Sequence, residues 1–450
     1  MTSVLLEHAT GERVAAAAGP HALSHAGPVV SEPGAWLNSR RSEAWEEFAQ
    51  LPAPVRTNEA WRFTNLKHLD LGRFIVAPAL DATTQRELPA RSIGFQNTAG
   101  RMVFANDGLV AYCEVSEALR KQGVLWLPLA QAIAEHPELV EKYFMREEAT
   151  LGGRKYAALH LSQVRAGTFL HVPRGVRIEL PFETWHWLGG DGASCFPHTL
   201  IAAEPMSCVT MIDWFQSTSN DAHGFACGVN DLHLADGASV TYLCAQRWSA
   251  RTVAMQINST VVGRDAKAMA LNMNLGALYA RSENVSHLRG PGGRSDMLAL
   301  SIAEASQEID QRTLQIHEVP HTASDLLYKN ALDDQARTIF AGLIRVEPGA
   351  HQTDAYQKVR NLLLSDDAEA NSAPGLEIEA DDVRCTHGAT TGQIEEEELF
   401  YLSSRGIPKA QAQRLIVHGF LKEVVARVGE PAIAERFDVL IQEKLDRRSR

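Results

Sequence analysis

The sequence predicts a mainly β protein: a stacked solenoid of strands set between a helical N-terminal region and a helical C-terminal one. Three observations carry this expectation. Between residues 155 and 375, period-two stretches such as "AALHLSQV", "VRIELPFE", "AMQINSTVV" and "RTLQIHEV" recur, and convincing amphipathic helices disappear. Turn-forming residues punctuate the same region regularly: Pro173, Pro205, Asp236, Asp265, Gly293, Pro320 and Pro348 are 32, 31, 29, 28, 27 and 28 residues apart. After Pro374, helical spacing of apolar residues returns. A near-constant period in strand-rich sequence suits units that bury their apolar faces only against their neighbours. A β-sandwich is the rival, although it rarely needs more than about 200 residues of strand.

The flanks divide as follows. Residues 1–40 are rich in Ala, Gly, Pro and His with little periodicity, which predicts a loose arm. Residues 41–154 read as a small, mostly helical domain. In it, Ala44, Trp45, Phe48 and Leu51 form one helical stripe, and "MVFANDGLVAY" is a hairpin turning at Asn106-Asp107-Gly108. "LPLAQAIAEHPELVEKYF" is helical, with an interruption at Pro137. Residues 376–450 read as a helical domain. Glu395 to Glu398 favour a helix start, Gly406 follows its end, and Pro408 and Pro431 open two more helices. Leu415, Ile416, Phe420 and Val424 make one stripe, and Ile433, Phe437, Leu440 and Ile441 another.

Composition narrows the function. A net charge of -12 argues against nucleic acid as a partner, because phosphate binding needs a basic surface. No apolar run approaches the roughly 18 residues of a membrane span, and "VAAAAG" is too short for a signal sequence, so a cytoplasmic protein is expected. Six scattered cysteines without a CxxC pair are neither a disulfide framework nor a zinc knuckle.

Several motifs mislead. "HEVPH", His317 to His321, matches the zinc-protease pattern, which works only on a helix. Pro320 lacks the amide a helix interior requires, and in an extended chain the two imidazoles lie about 13 Å apart. "RGPGGRSD" lacks the G-K-[ST] ending of a phosphate-binding loop and reads as a solenoid turn. No G-x-S-x-G offers a hydrolase serine. There remain Cys385 and His387, in "RCTHGATTGQIEEEELFYLSSRGI". Three readings of this pair stand: a metal site, a nucleophile with its base, or an ordinary turn. Two ligands are too few for a structural zinc, and no third group orients a nucleophile pair. Thiolate and imidazole do ligate iron–sulfur clusters, and a second subunit could complete the set.

From Pro320 to Ile407 the chain closely resembles the SufB/SufD family of iron–sulfur cluster assembly proteins. "NEAWRFTNL" at 58–66 and "LAQAIAEHPELVEKYF" extend the likeness over most of the chain. SufB-like members carry a cysteine in an "FYC" setting; here the place reads "FYL", with Leu402 in the cysteine's position. "CTHGAT" at Cys385 to Thr390 and "EAWRFTNL" are SufD-like. The resemblance implies a right-handed parallel β-helix flanked by helical domains, and a non-catalytic scaffold. It further implies a complex of one SufB, one SufD and two copies of the ATPase SufC, or a homodimer when SufB is absent. SufB would join end to end through the β-helices, and the C-terminal helices would grip SufC. His387 would face the interface where a nascent cluster is built, as a metal ligand shared with SufB, and Cys385 would stand beside it. No cofactor would be held by the chain alone. An enzyme on a β-helix and a purely structural adaptor for SufC are the alternatives.

Overall fold

The computed structural model describes residues 22–30 and 34–447. Two parallel sheets face each other, and the chain alternates between them. The first sheet takes the strands Thr168–Val172, His198–Ala203, Gly224–Leu234, Thr252–Val262, Tyr279–Leu288, Glu308–His317, Arg337–Val346 and Glu369–Ile378. The second takes Phe182–Leu188, Cys208–Ser217, Ser239–Arg247, Lys267–Asn274, Arg294–Ala303, Ala323–Leu332, Asp354–Leu363 and Arg384–Gln393. Eight strand pairs make eight coils of a β-solenoid. Register fixes the rise of the coil: Lys267 pairs with Arg294 and Asp354 with Arg384.

Every punctuating residue read from the sequence falls at the same corner, in the link from a first-sheet strand to the next second-sheet strand. The corners stack through their backbones. Met206 N donates to Asp236 O, Gly237 N to Arg264 O, and Asp265 N to Pro291 O. A sharp corner needs a residue in the left-handed region, filled by Gly237 (φ 69°) and Gly292 (φ 76°), and by Asp265 (φ 53°), whose short polar side chain tolerates it. "RGPGGRSD" is one of these corners. "HEVPH" is another: His317 ends a strand and is buried, its ring meeting the hydroxyls of Thr322 at 2.7 Å and Ser324 at 2.8 Å, while His321 sits in the turn.

Each sheet is covered over part of its outer face. Phe48, Trp61, Tyr156 and Leu159 pack against Phe225, Val253 and Met255 of the first sheet. "NEAWRFTNL" docks here: Thr64 Oγ1 donates to Asp310 Oδ2 (2.7 Å), and Trp61 lies under the Arg281 guanidinium, 3.7 Å away. The motif therefore serves the fold. Over the second sheet lie the helices Lys409–Ala426 and Pro431–Arg447, whose Val417, Leu421, Phe437 and Ile441 meet Trp185, Trp214, Leu243 and Leu298. Lys329–Glu423 (2.5 Å) and Arg427–Asp325 (2.6 Å) border that contact.

Four expectations change. The solenoid runs on to Gln393, so the boundary at 375 falls inside the strand Glu369–Ile378. Pro374 belongs to that strand because of its place at the sheet's edge. Glu369 N donates inward to Ala336 O, so alternation turns the even-numbered amides outward, and the amide Pro374 lacks costs no ladder bond. "AALHLSQV" belongs to the helix Arg154–Gln163, not to a strand; it is buried against both the first sheet and the helix Ala35–Gln50. That helix begins within the stretch read as a loose arm; residues 1–21 and 31–33 of the arm lie outside the described residues. Finally, the buried face of Lys409–Ala426 is Ala412, Val417, Leu421, Val424 and Val425, leaving Leu415 47 % exposed. The stripe Ile433, Phe437, Leu440 and Ile441 is buried as read.

Candidate functional site

The two ends of the solenoid differ. At the start, each sheet is closed by an antiparallel neighbour: Gly108–Cys113 on Gly100–Ala105, which itself pairs with Phe182–Leu188, and Leu125–Pro128 on Thr168–Val172. At the finish, Glu369–Ile378 and Arg384–Gln393 are, among the described residues, each hydrogen-bonded on one side only. Both sheets thus present a free edge at the same end.

Cys385 and His387 lie on the last strand. They pair in register with Ala355 and Gln357, both buried. Since side chains alternate along a strand, both point to the face that Ala355 and Gln357 share, with Cα atoms about 7 Å apart. They are neither a turn nor a helix start. That spacing lets a thiol and an imidazole reach one common centre. Among the described residues no three His, Cys, Asp or Glu side chains gather into a metal-binding group, so the pair offers two donors.

Their surroundings differ. Cys385 is half-buried against Ile344, Val346, Ala355 and Leu376. This apolar packing raises its pKa by desolvation, with Asp354 adding to the rise. The thiol is therefore held protonated and must release a proton to become a ligand. His387 is exposed. All six cysteines are unpaired.

Beyond the last strand, the helix Glu396–Ser404 buries none of its residues. Phe400 is 75 % exposed and Tyr401 56 %. Leu402 lines a groove with Glu397, Tyr401 and Ile416. The run Glu395 to Glu398 predicts the acidic start of this helix, whereas nothing in the sequence distinguishes its exposed Phe400 and Tyr401 from buried core residues.

Residues 186–420 match the family described as "SUF system FeS cluster assembly, SufBD core domain", and residues 27–183 match "SufBD protein N-terminal region". This chain belongs to the SufBD family. The SufD iron–sulfur cluster assembly protein of Bacillus subtilis is 31% identical over 91% of this chain and 94% of its own length. A SufBD family iron–sulfur cluster assembly protein of Mycobacterium tuberculosis is 30% identical over 70% of this chain and 81% of its own. One from Synechocystis is 26% identical over 87% of each. The family's work is iron–sulfur cluster assembly, and the SufBD core match ends at residue 420, beyond the open end. Among the described residues no helix is long and apolar enough to cross a membrane.

Proposed function

We propose that the chain is the SufD-type scaffold of a SufB–SufC–SufD complex in the cytoplasm, and that a nascent cluster is built where its open end meets SufB. One observation carries the reading: both sheets end unpaired at the end where Cys385 and His387 lie. A free edge offers a row of backbone donors and acceptors, which a partner's strands satisfy by continuing the sheets. Such pairing brings groups of the partner beside His387, completing a ligand set that this chain supplies only in part. The nascent cluster is cargo here. Leu402 stands where SufB-like chains have a cysteine, so the principal thiolate comes from SufB, and Cys385 contributes less.

The helix Glu396–Ser404, with Phe400, Tyr401 and the neighbouring Leu415, is the surface left for the SufC ATPase. The last two helices spend their apolar faces on the solenoid. ATP-driven closing of two SufC subunits would then shift the SufB–SufD contact, and the chain itself hydrolyses nothing. A second reading, a structural adaptor that holds SufC and touches no metal, is favoured by Leu402 and by the raised pKa of Cys385.

Co-expression with SufB and SufC, anaerobic purification and measurement of iron and sulfide test the proposal. Ala389→Pro is the informative variant. Arg384 N donates inward to Thr353 O, so the odd-numbered amides of that strand point outward, and proline at 389 blocks the edge without removing a ladder bond. The expected outcome is a folded chain that no longer retains SufB. A variant that still assembles with SufB and accumulates cluster at the wild-type level would refute edge pairing.

A further inference from the structure

We infer that Gln357 is the positioning residue for His387: its side-chain amide oxygen accepts the imidazole N–H, leaving the other ring nitrogen to face the partner subunit. The inference rests on the reading of His387 given above. Gln357 is fully buried on the penultimate strand of the second sheet, in register with His387. Adjacent strands lie about 5 Å apart, within reach of two long side chains on one face.

The orientation of the amide follows from its one anchored end. Gln357 Nε2 meets Thr313 Oγ1 at 3.4 Å. Thr313 is in register with Gly342, and Gly342 with Pro374, so Thr313 sits in the first sheet two strands before its edge. The nitrogen therefore points back into the solenoid. An amide is planar, with oxygen and nitrogen on opposite sides of its carbon, which turns Oε1 toward the last coil. As the side chains stand, that oxygen is buried and unpartnered among the described residues, and His387, exposed on the neighbouring strand, reaches it by turning about its side-chain bonds. A buried acceptor left unpaired is costly. The polar side chain beside it in register is His387, flanked on the same face by Cys385 and Ala389.

The slot for this amide is built into the opposite sheet. A Cβ at Gly342 would come 1.8 Å from Gln357 Nε2 and 2.5 Å from Thr313 Oγ1, so only glycine leaves the amide its place. A neutral imidazole carries one N–H. Bound inward to Gln357, that N–H leaves a lone pair directed at the partner. Metal-ligating histidines are commonly held through their second nitrogen in this way.

The test is the tautomer of His387 in the full-length chain, read from long-range proton–nitrogen spectra of histidine-labelled protein at pH 8.5 and assigned by its loss in His387→Ala. A single tautomer is expected in the wild type and in Gln357→Glu, which keeps an acceptor. The two-tautomer mixture of a free imidazole is expected in Gln357→Met, of similar length without the amide, and in Gly342→Ala, which pushes the amide aside. A mixture already present in the wild type, or a single tautomer persisting in both Gln357→Met and Gly342→Ala, overturns the contact. In the co-expressed complex, Gln357→Met should lower cluster content on the order of tenfold, with Gln357→Glu near wild type. Loss of the tautomer with undiminished cluster would leave the contact standing and overturn the assembly role of His387 on which the inference rests.

Discussion

The ring of Phe437, on the last helix, lies 5.7 Å from that of Trp214 in the outer wall of the second sheet. Both side chains are fully buried, and Trp214 also stacks on Trp185. The C-terminal helices are thus part of the solenoid's own core. Phe437→Ala should lower stability by about 3–5 kcal/mol, the usual cost of an emptied aromatic site. Chemical denaturation with unchanged cooperativity would register it; a loss below about 1 kcal/mol would mean the helix is only loosely docked. Removing residues 408–450 should have a larger effect, because it bares Trp185, Trp214 and Leu243 together, so truncation cannot isolate a docking function.

A second prediction concerns acid. His186 is buried between Phe104 and Phe215, with ring centroids at 5.0 and 5.3 Å, and its Nε2 has no partner among the described residues. Burial lowers its pKa to about 3. Unfolded, a histidine takes up a proton below pH about 6.5. The unfolded chain thus binds more protons between those values, and this contribution to stability, complete above pH 6.5, is lost as pH falls toward 3. The slope is about 1.4 kcal/mol per pH unit for one such group. His160, also lowered to about 3 by burial and by the neighbouring His198, acts in the same direction. His186→Phe should therefore flatten the dependence of denaturation midpoint on pH between 6 and 4. Parallel curves for the two proteins would contradict this.

The solenoid was legible because its corners repeat. Each corner must bend the chain sharply, and Pro205, Asp236 and Asp265 mark that need whatever the strands around them contain. The last coil was not legible. Arg384–Gln393 has a neighbour on one side only and is largely exposed, so the alternation of buried and polar residues that identifies other strands is absent from "RCTHGATTGQ". The helix Arg154–Gln163 was misread for the opposite reason. It is packed between a sheet and a helix, His160, Ser162 and Gln163 are buried along with Leu159, and polarity no longer reports its period. Cys385 and His387 were found through their residue types and the family likeness. Gln357 carried no signal at all, because its role depends on register between strands 30 residues apart.

The exposed face of the Glu396–Ser404 helix gives a third prediction. Phe400 and Leu415 are 75 % and 47 % exposed, so replacing them removes little internal packing. Phe400→Ala with Leu415→Glu should change stability by no more than about 0.5 kcal/mol, as at other surface sites. Binding of the SufC ATPase should nonetheless fall, because large exposed apolar groups are the anchors of interfaces and each contributes on the order of 2 kcal/mol. Titration with purified SufC decides it. Undiminished affinity in the double variant would move the docking surface elsewhere.

The last prediction separates the two residues of the open end. His387 is exposed, so His387→Ala should leave the fold intact, within about 0.5 kcal/mol of wild type. Assembly with SufB and SufC should also persist, since edge pairing uses backbone groups. The complex should nevertheless acquire little iron and sulfide in cells, because alanine offers neither a ligand nor a proton acceptor in place of the imidazole. Cys385 is expected to matter less to the cargo. Its thiol is half-buried in an apolar cluster and held protonated, so it competes poorly for metal against a partner's exposed thiolate. Cys385→Ser should therefore keep most of the cluster, while the hydroxyl placed against Ile344 and Leu376 lowers stability by about 1 kcal/mol. Iron and sulfide per purified complex, measured beside the melting temperature of each chain, distinguish the two effects. Full cluster content in His387→Ala would reduce the residue to a surface side chain, and the adaptor reading would then replace the shared site.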